Sequence, residues 1–314
     1  MSIHVIVNPR AAYGQAARIW PEIRRSMEHY GLTVNQYFTQ GMMHATSIAV
    51  ECIKGGAKTI VCVGGDGTFN EVVNGLMQSR VEKISLPELA LIPVGTGSDL
   101  SRSLKIPKDP GEAVAILLQG TTQWCDVGRV MFKDLKHQWV RYYANVFDMG
   151  LGGKAVRIAN RMPKNIGGFL TFLISSLTAL ITFQRMRLRI EVDGKRIDEG
   201  MMWIVGAANG QFFGGGMHMA PMALIDDGIL EILYVKDTSI FKFIIHVLGK
   251  VYDGKHLEYE HVHHISGKSM RIICTQPCLC EIDGEEEKAN EVHVNVIPKM
   301  IKIRIPRDSG TTSR

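Results

Sequence analysis

Apolar runs and helical periods alternate along the first third of the chain. Ile3 to Val7 is a short, β-branched run that ends at Asn8-Pro9-Arg10. Ala11-Ala12-Tyr13-Gly14 then leads into a helical pattern through Ile19, Ile23 and Met27. Leu32 to Phe38 reads as a second strand ending at Thr39, and residues 43–53 alternate at helical period up to Gly55-Gly56. Ile60 to Val63 is apolar again and breaks at Gly64-Gly65-Asp66-Gly67. Beyond it Asn70, Val72, Val73 and Leu76 set a helical pattern that Thr68 or Asn70 can cap. Leu89 to Val94 is a further strand, ending at Gly95-Thr96-Gly97-Ser98-Asp99-Leu100. Strands and helices alternating at this length predict an α/β domain with a doubly wound, mostly parallel sheet. Ligands bind at the carboxyl ends of strands in such sheets. That rule gathers Asn8, Thr39, Gly64 to Thr68 and Gly95 to Asp99 at one crevice.

The pattern changes after a helix from Pro110 to Leu118. Short strands follow at Trp139 to Phe147, Arg187 to Val192, Met201 to Ala208, Ile229 to Val235, Met270 to Cys274 and Lys302 to Ile305. Asp193-Gly194, Asp227-Gly228 and Asp283-Gly284 are turn signals. The chain is therefore expected to hold a first domain over 1–124 and an antiparallel, β-rich second domain over 125–314, whose last residues can return to the first. Ile166 to Phe183 carries no charge and is flanked by Lys164 and Arg185. Its length is the lower limit for a membrane span, and it also suits a buried helix or one lining a cleft for an apolar substrate. Arg157, Arg161, Lys164, Arg185, Arg187 and Arg189 around it suit anionic headgroups or a solvated surface. Phe241 to Tyr252 reads as an amphipathic packing helix with Lys242 and Lys250.

Composition narrows the class. At 314 residues there is room for two cores, and 46% hydrophobic with 21% charged residues is a soluble, globular balance. The formal charge of +5 allows an anionic partner without demanding one, and no basic run is interleaved with aromatics, so nucleic acid is not expected. Six cysteines lack a paired C-x-x-C spacing, which points to reduced thiols rather than zinc or disulfides. His261 and His263 share a strand face without a third ligand at fixed spacing. No basic n-region precedes the first apolar run, which Asn8-Pro9 interrupts, so no secretory leader is expected. A cytoplasmic protein follows, peripheral at the inner membrane face if its partner is a lipid. A homodimer is compatible and not required.

The chemistry centres on Gly64-Gly65-Asp66-Gly67-Thr68. Strand, glycine turn and helix place backbone N–H groups and a helix N-terminus against phosphate. No Lys-Ser/Thr follows, so this is not a Walker A loop, and it is not G-x-G-x-x-G. A carboxylate sits where phosphate is expected, and a cation between them is needed, magnesium being the usual one.

Together with Asn8-Pro9 and Gly14, Asn70-Glu71, Pro93 to Asp99, Ala220-Pro221-Met222-Ala223 with Asp227-Gly228, and Asp283-Gly284-Glu285, this block resembles the diacylglycerol kinase catalytic family in its bacterial soluble lipid-kinase branch. The resemblance covers essentially the whole chain. It implies a nucleotide domain of the kind found in phosphofructokinases and NAD kinases, a C-terminal β-sandwich, and an active site between them. It implies ATP and Mg2+ as cofactors and a membrane lipid substrate, most directly diacylglycerol converted to phosphatidic acid. Asn8, Thr39, Gly64, Gly65, Asp66, Gly67, Thr68, Asn70, Gly95 and Thr96 become nucleotide-binding candidates. Asp227 with the carbonyls of Leu224 and Ile229 matches a magnesium loop, and Glu285 matches the family's proton acceptor. Some relatives give that role to the aspartate corresponding to Asp66, so both stand. Ala12-Tyr13 departs from the small-polar turn usual there. Rival functions are an NAD kinase, which shares the glycine block, and a nucleotide-binding regulator without catalysis.

Overall fold

The computed structural model describes residues 2–80, 85–95, 97–162 and 168–307. These fall into two compact units. The first runs to Cys125 and includes the segment from Ile301, and the second is Asp126–Met300.

The first unit is built on a parallel sheet. Strands β1 (Ser2–Val7), β2 (Thr33–Phe38), β3 (Thr59–Gly64) and β4 (Glu88–Pro93) lie in the order β2-β1-β3-β4. Strand order reverses between β1 and β3, the topological switch point at which sheets of this kind bind ligands. All six residues of β3 are buried, as its continuous apolar sequence predicts for a central parallel strand. Helices α1 (Ala11–His29), α2 (His44–Lys54), α3 (Asp66–Arg80), α4 (Asp99–Ser103) and α5 (Pro110–Gln119) complete the unit. Ala12, Tyr13 and Gly14 at the start of α1 are left-handed (φ 46°, 57° and 84°), so the expected turn lies inside the helix's first residues. Helix α3 begins at Asp66, which corrects the expected caps: Thr68 and Asn70 sit inside the helix. Gly75 lets α3 approach α2 closely, since a Cβ there would lie 2.7 Å from both Ala49 Cβ and the Thr46 carbonyl.

The second unit is antiparallel. Its strands are β5 (Thr121–Lys133, which carries the chain in), β6 (Gln138–Tyr143), β7 (Val146–Gly150), β8 (Met186–Val192), β9 (Lys195–Ala208), β10 (Leu230–Lys236), β11 (Val262–Gly267), β12 (Ser269–Ile282) and β13 (Glu285–Ile305, which carries the chain out). Long strands β9 and β12 each pair with both β7 and β8, so the sheet folds over a core that includes Phe132, Phe147, Leu188, Met202 and Ile272. The single strand expected from Trp139 to Phe147 is two strands, β6 and β7. The break at Ala144-Asn145 occurs because the Asp283 carboxylate takes the N–H groups of Ala144, Asn145 and Val146.

Helices α6 (Leu151–Arg161) and α7 (Gly168–Thr182) lie in this unit. The uncharged segment thus forms α7, while Ile166 and Gly167 fall outside the described residues. No described helix is long and apolar enough to cross a membrane. The expected helix from Phe241 to Tyr252 is instead helix α8 (Ile240–Phe243), a π-helical turn Ile244–Leu248 and a 3-10 turn Val251–Asp253. Leu180 of α7 and Phe243 of α8 share a small core with Trp203.

Candidate active site

In the first unit the predicted residues meet at the switch point. Asn8 follows β1 and donates from Nδ2 to Thr68 Oγ1 at 2.9 Å, while its Oδ1 accepts the Arg10 N–H. Thr39 is buried beside them, its N–H bound to the Val7 carbonyl. Gly64, Gly65, Asp66 and Gly67 form the turn from β3 into α3. Crowding explains the glycines: a Cβ on Gly64 would lie 2.8 Å from Thr68 Oγ1, and one on Gly95 would lie 2.8 Å from Gly65 Cα. The two glycine turns thus pack backbone against backbone beside the N-terminus of α3, a helix end whose polarity suits an anion. Thr96 lies outside the described residues.

Asp66 is occupied. Its carboxylate accepts the N–H groups of Asp99 at 2.9 Å and Leu100 at 3.3 Å, capping α4, whose own Ser98 gives no side-chain cap. As the first residue of α3 it also complements that helix's positive end. Asp99 is buried and binds Arg102 at 2.7 Å. Asn70 is buried one turn into α3, where its side-chain oxygen accepts from Asn74. Glu71 takes the Ala45 N–H and so anchors α2, which has no side-chain cap of its own.

In the second unit Asp283 and Glu285 lie at the β12–β13 turn. Asp283 is buried with φ +46°, a conformation that its three N–H bonds to 144–146 hold in place. Glu286 pairs with Arg157 at 2.5 Å, and Glu287 binds Arg141 at 3.1 Å and the Trp139 indole at 3.2 Å.

The 223–229 loop is fixed by Asp126. That carboxylate accepts from Gly228 N and Lys299 N, both at 2.6 Å, while the Asp126 N–H binds the Ile225 carbonyl. Asp227 accepts the Ile229 N–H at 2.9 Å, and Leu224 is exposed. Partial burial raises the Asp227 carboxyl above its ordinary range, and the negative charges of Asp126, Glu231 and Asp226 add to the rise. This local excess of negative charge, with oxygen donors only, fits a hard divalent cation. Among the described residues no cluster of three or more His, Cys, Asp or Glu could hold a metal. A site here would therefore rest on one carboxylate and backbone carbonyls.

Sequence reasoning gave no role to Asp126, Asp148 or Glu281. Asp126 and Asp148 each stand inside an apolar strand, and a charge in such a run is the signal that was available.

Glycine turns after β3 and β4 in one unit and a carboxylate-bearing β turn in the other make a two-unit fold shared with diacylglycerol kinases and NAD kinases. The diacylglycerol kinase catalytic domain matches residues 2–130, and the YegS C-terminal NAD kinase beta sandwich-like domain matches residues 145–305. The chain belongs to the diacylglycerol kinase catalytic-domain family, in its bacterial lipid-kinase branch.

Similar curated proteins include a diacylglycerol kinase of Staphylococcus saprophyticus, 26% identical over 285 residues, covering 90% of this chain and 88% of that protein. A YegS-like lipid kinase of Xanthomonas oryzae is 29% identical over 272 residues, with 84% of each chain covered. Among solved structures, a Bacillus anthracis diacylglycerol kinase shares the fold at a TM-score of 0.73 and 22% identity, over 98% of this chain and 97% of that one. Yeast NADH kinase, complexed with NADH, shares it more distantly at 0.56 and 12%, over 99% and 84%.

Proposed function

We propose that this lipid kinase transfers the γ-phosphoryl group of ATP to the free hydroxyl of diacylglycerol, giving phosphatidic acid. The observation that carries the proposal is the β12–β13 turn, which Asp283 fixes through the N–H groups of Ala144, Asn145 and Val146. Glu285 follows that turn at the position that matches the family's proton acceptor, and it takes the proton of a lipid alcohol. Asp66, bound to two backbone N–H groups, organises the Gly95–Leu100 loop around the nucleotide and leaves the proton to Glu285. Asn8, Thr68 and the α3 N-terminus would bind phosphate oxygens. Asp227 with the carbonyls of Leu224 and Ile229 would hold Mg2+, which supplies charge neutralisation for transfer. The names of the Staphylococcus relatives support diacylglycerol as the acceptor.

The lipid would be reached from an anionic bilayer surface, in the manner of a cytoplasmic peripheral protein. Leu170, Leu173, Ile174, Leu177 and Ile181 expose one face of α7, and Phe241, Ile244 and Ile245 are exposed on the neighbouring helical segment. Residues 149–190 contain seven Lys or Arg and no Asp or Glu, so the apolar face is set in positive sequence.

The test is phosphorylation of a panel of lipid alcohols from labelled ATP, titrated with Mg2+, by wild type, Glu285→Gln and Asp227→Ala. The expected result is label in diacylglycerol, no turnover in Glu285→Gln, and a raised Mg2+ requirement in Asp227→Ala. Full turnover in Glu285→Gln would remove it as the base.

A further inference from the structure

Asp148 of β7 and Glu281 of β12 are direct register partners across an antiparallel pair, and both are buried. Each carboxyl has one oxygen accounted for. Asp148 Oδ1 accepts the Gly153 N–H at 3.3 Å at the start of α6, and Glu281 Oε1 accepts the Gly284 N–H at 2.5 Å. The other two oxygens, Asp148 Oδ2 and Glu281 Oε2, are buried and have no hydrogen-bond donor among the described residues. Two buried acceptors side by side, with no donor, need a proton between them. Burial pushes both carboxyls up, Asp148 to about 7 and Glu281 well above the usual carboxylate range. The pair therefore holds a proton between its two carboxyls.

A Cβ on Gly152 would lie 2.1 Å from Asp148 Oδ2, so α6 is pressed against the pair. The groups around it are Cys280 and Asp283 on β12 and its turn, and His256 across a small apolar cavity of about 20 Å3, space for one water. His256 is itself neutral, its ring pushed down to about 4 by burial.

Glu281 holds Gly284, and Gly284 is the residue before Glu285. Asp283 fixes the same turn from its other side through Ala144, Asn145 and Val146. We infer that the Asp148–Glu281 pair, joined by one shared proton, is the positioning device that sets the Asp283–Glu285 turn for phosphoryl transfer. The inference rests on Glu285 being the proton acceptor. Glu281 does not touch substrate; it acts through the Gly284 amide. Removal of the shared proton leaves two charges in contact, drives the carboxyls apart and frees Gly284.

Three variants and one spectrum test this. Glu281→Gln keeps an acceptor for Gly284 and supplies an N–H in place of the shared proton, so kcat stays within about threefold of wild type. Glu281→Leu keeps bulk but loses the acceptor. Its kcat falls at least about tenfold, KM for ATP is unchanged, and the Gly284 amide loses hydrogen-exchange protection. Wild-type kcat in Glu281→Leu alongside a dead Glu285→Gln would overturn the inference alone. Full activity in Glu285→Gln would overturn both the inference and the reading beneath it. Independently of any variant, the carbon-13 signals of the Asp148 and Glu281 carboxyls in the wild-type protein show that the pair holds a proton at neutral pH. Two fully ionised signals would end the proposal even if Glu281→Leu failed to fold.

Discussion

Asn8 and Thr68, sixty positions apart, are joined by a 2.9 Å hydrogen bond from the asparagine amide to the threonine hydroxyl, across the point where the strand order reverses. The bond ties the end of β1 to the first turn of α3. It also fixes the threonine hydroxyl, so that its oxygen is the acceptor and its proton is directed elsewhere. A nucleotide phosphate is the partner that the proposed function assigns to that proton.

Breaking this bond is expected to weaken nucleotide binding more than folding. Thr68→Val should raise KM for ATP by about tenfold, and Asn8→Ala by a similar amount, the scale of one hydrogen bond to a charged group. Isothermal titration with a non-hydrolysable ATP analogue checks it. Unchanged affinity in both would detach this pair from the nucleotide.

Gly95 tests the crevice itself. In Gly95→Ala the new methyl would sit 2.8 Å from Gly65 Cα, and backbone cannot swing aside as a side chain can. A loss of about 1–3 kcal/mol in urea denaturation is expected, with ATP affinity reduced in the fraction that folds. Wild-type stability and affinity would mean that the two glycine turns stand further apart than described.

Asp148 imposes a pH dependence of known sign. Its folded-state pKa, about 7, lies above the value of a carboxylate in an unfolded chain, so the folded protein binds more protons in between. This contribution to stability is fully present below the unfolded-chain value and is lost as pH rises towards 7. Asp148→Asn carries no such penalty, so its melting temperature should rise relative to wild type between about pH 4 and about pH 7 and stay level above that. A constant difference across that window would show that Asp148 titrates normally.

The apolar face of the second unit should bind membranes. Ile181 is 71% and Phe241 72% exposed, values unusual for side chains of their size. Replacing both by Glu should cut co-sedimentation with phosphatidylglycerol vesicles by about tenfold while leaving turnover of a water-soluble short-chain diacylglycerol unchanged. Equal binding by wild type and variant would place the docking surface elsewhere.

The parallel sheet was legible because each of its strands is a local apolar run, and the glycine turns follow those runs directly. Helix α3 starts three residues or more before the position that a cap at Thr68 or Asn70 predicts. Asp66 is the first helical residue, and its side chain serves α4 instead of capping its own helix. The split of Trp139 to Phe147 into two strands had no local signal, since its cause, Asp283, lies 138 positions beyond Asn145. The same distance hid the Asp148–Glu281 pair, whose meaning depends on a register between strands far apart in the chain. Asp126 is similar: it serves Gly228 and Lys299 at separations of 102 and 173 positions. Residues in local glycine and aspartate turns were readable, and residues that hold those turns from a distance were not.

The central claim is that a lipid hydroxyl receives the phosphoryl group and that Glu285 takes its proton. The most direct measurement is the fate of γ-labelled ATP incubated with Mg2+ and an equal mixture of diacylglycerol micelles and NAD, comparing the wild-type protein with Glu285→Gln. Label in phosphatidic acid from wild type and none from the variant is the predicted result. Label in NADP, or equal phosphatidic acid from both proteins, would contradict it.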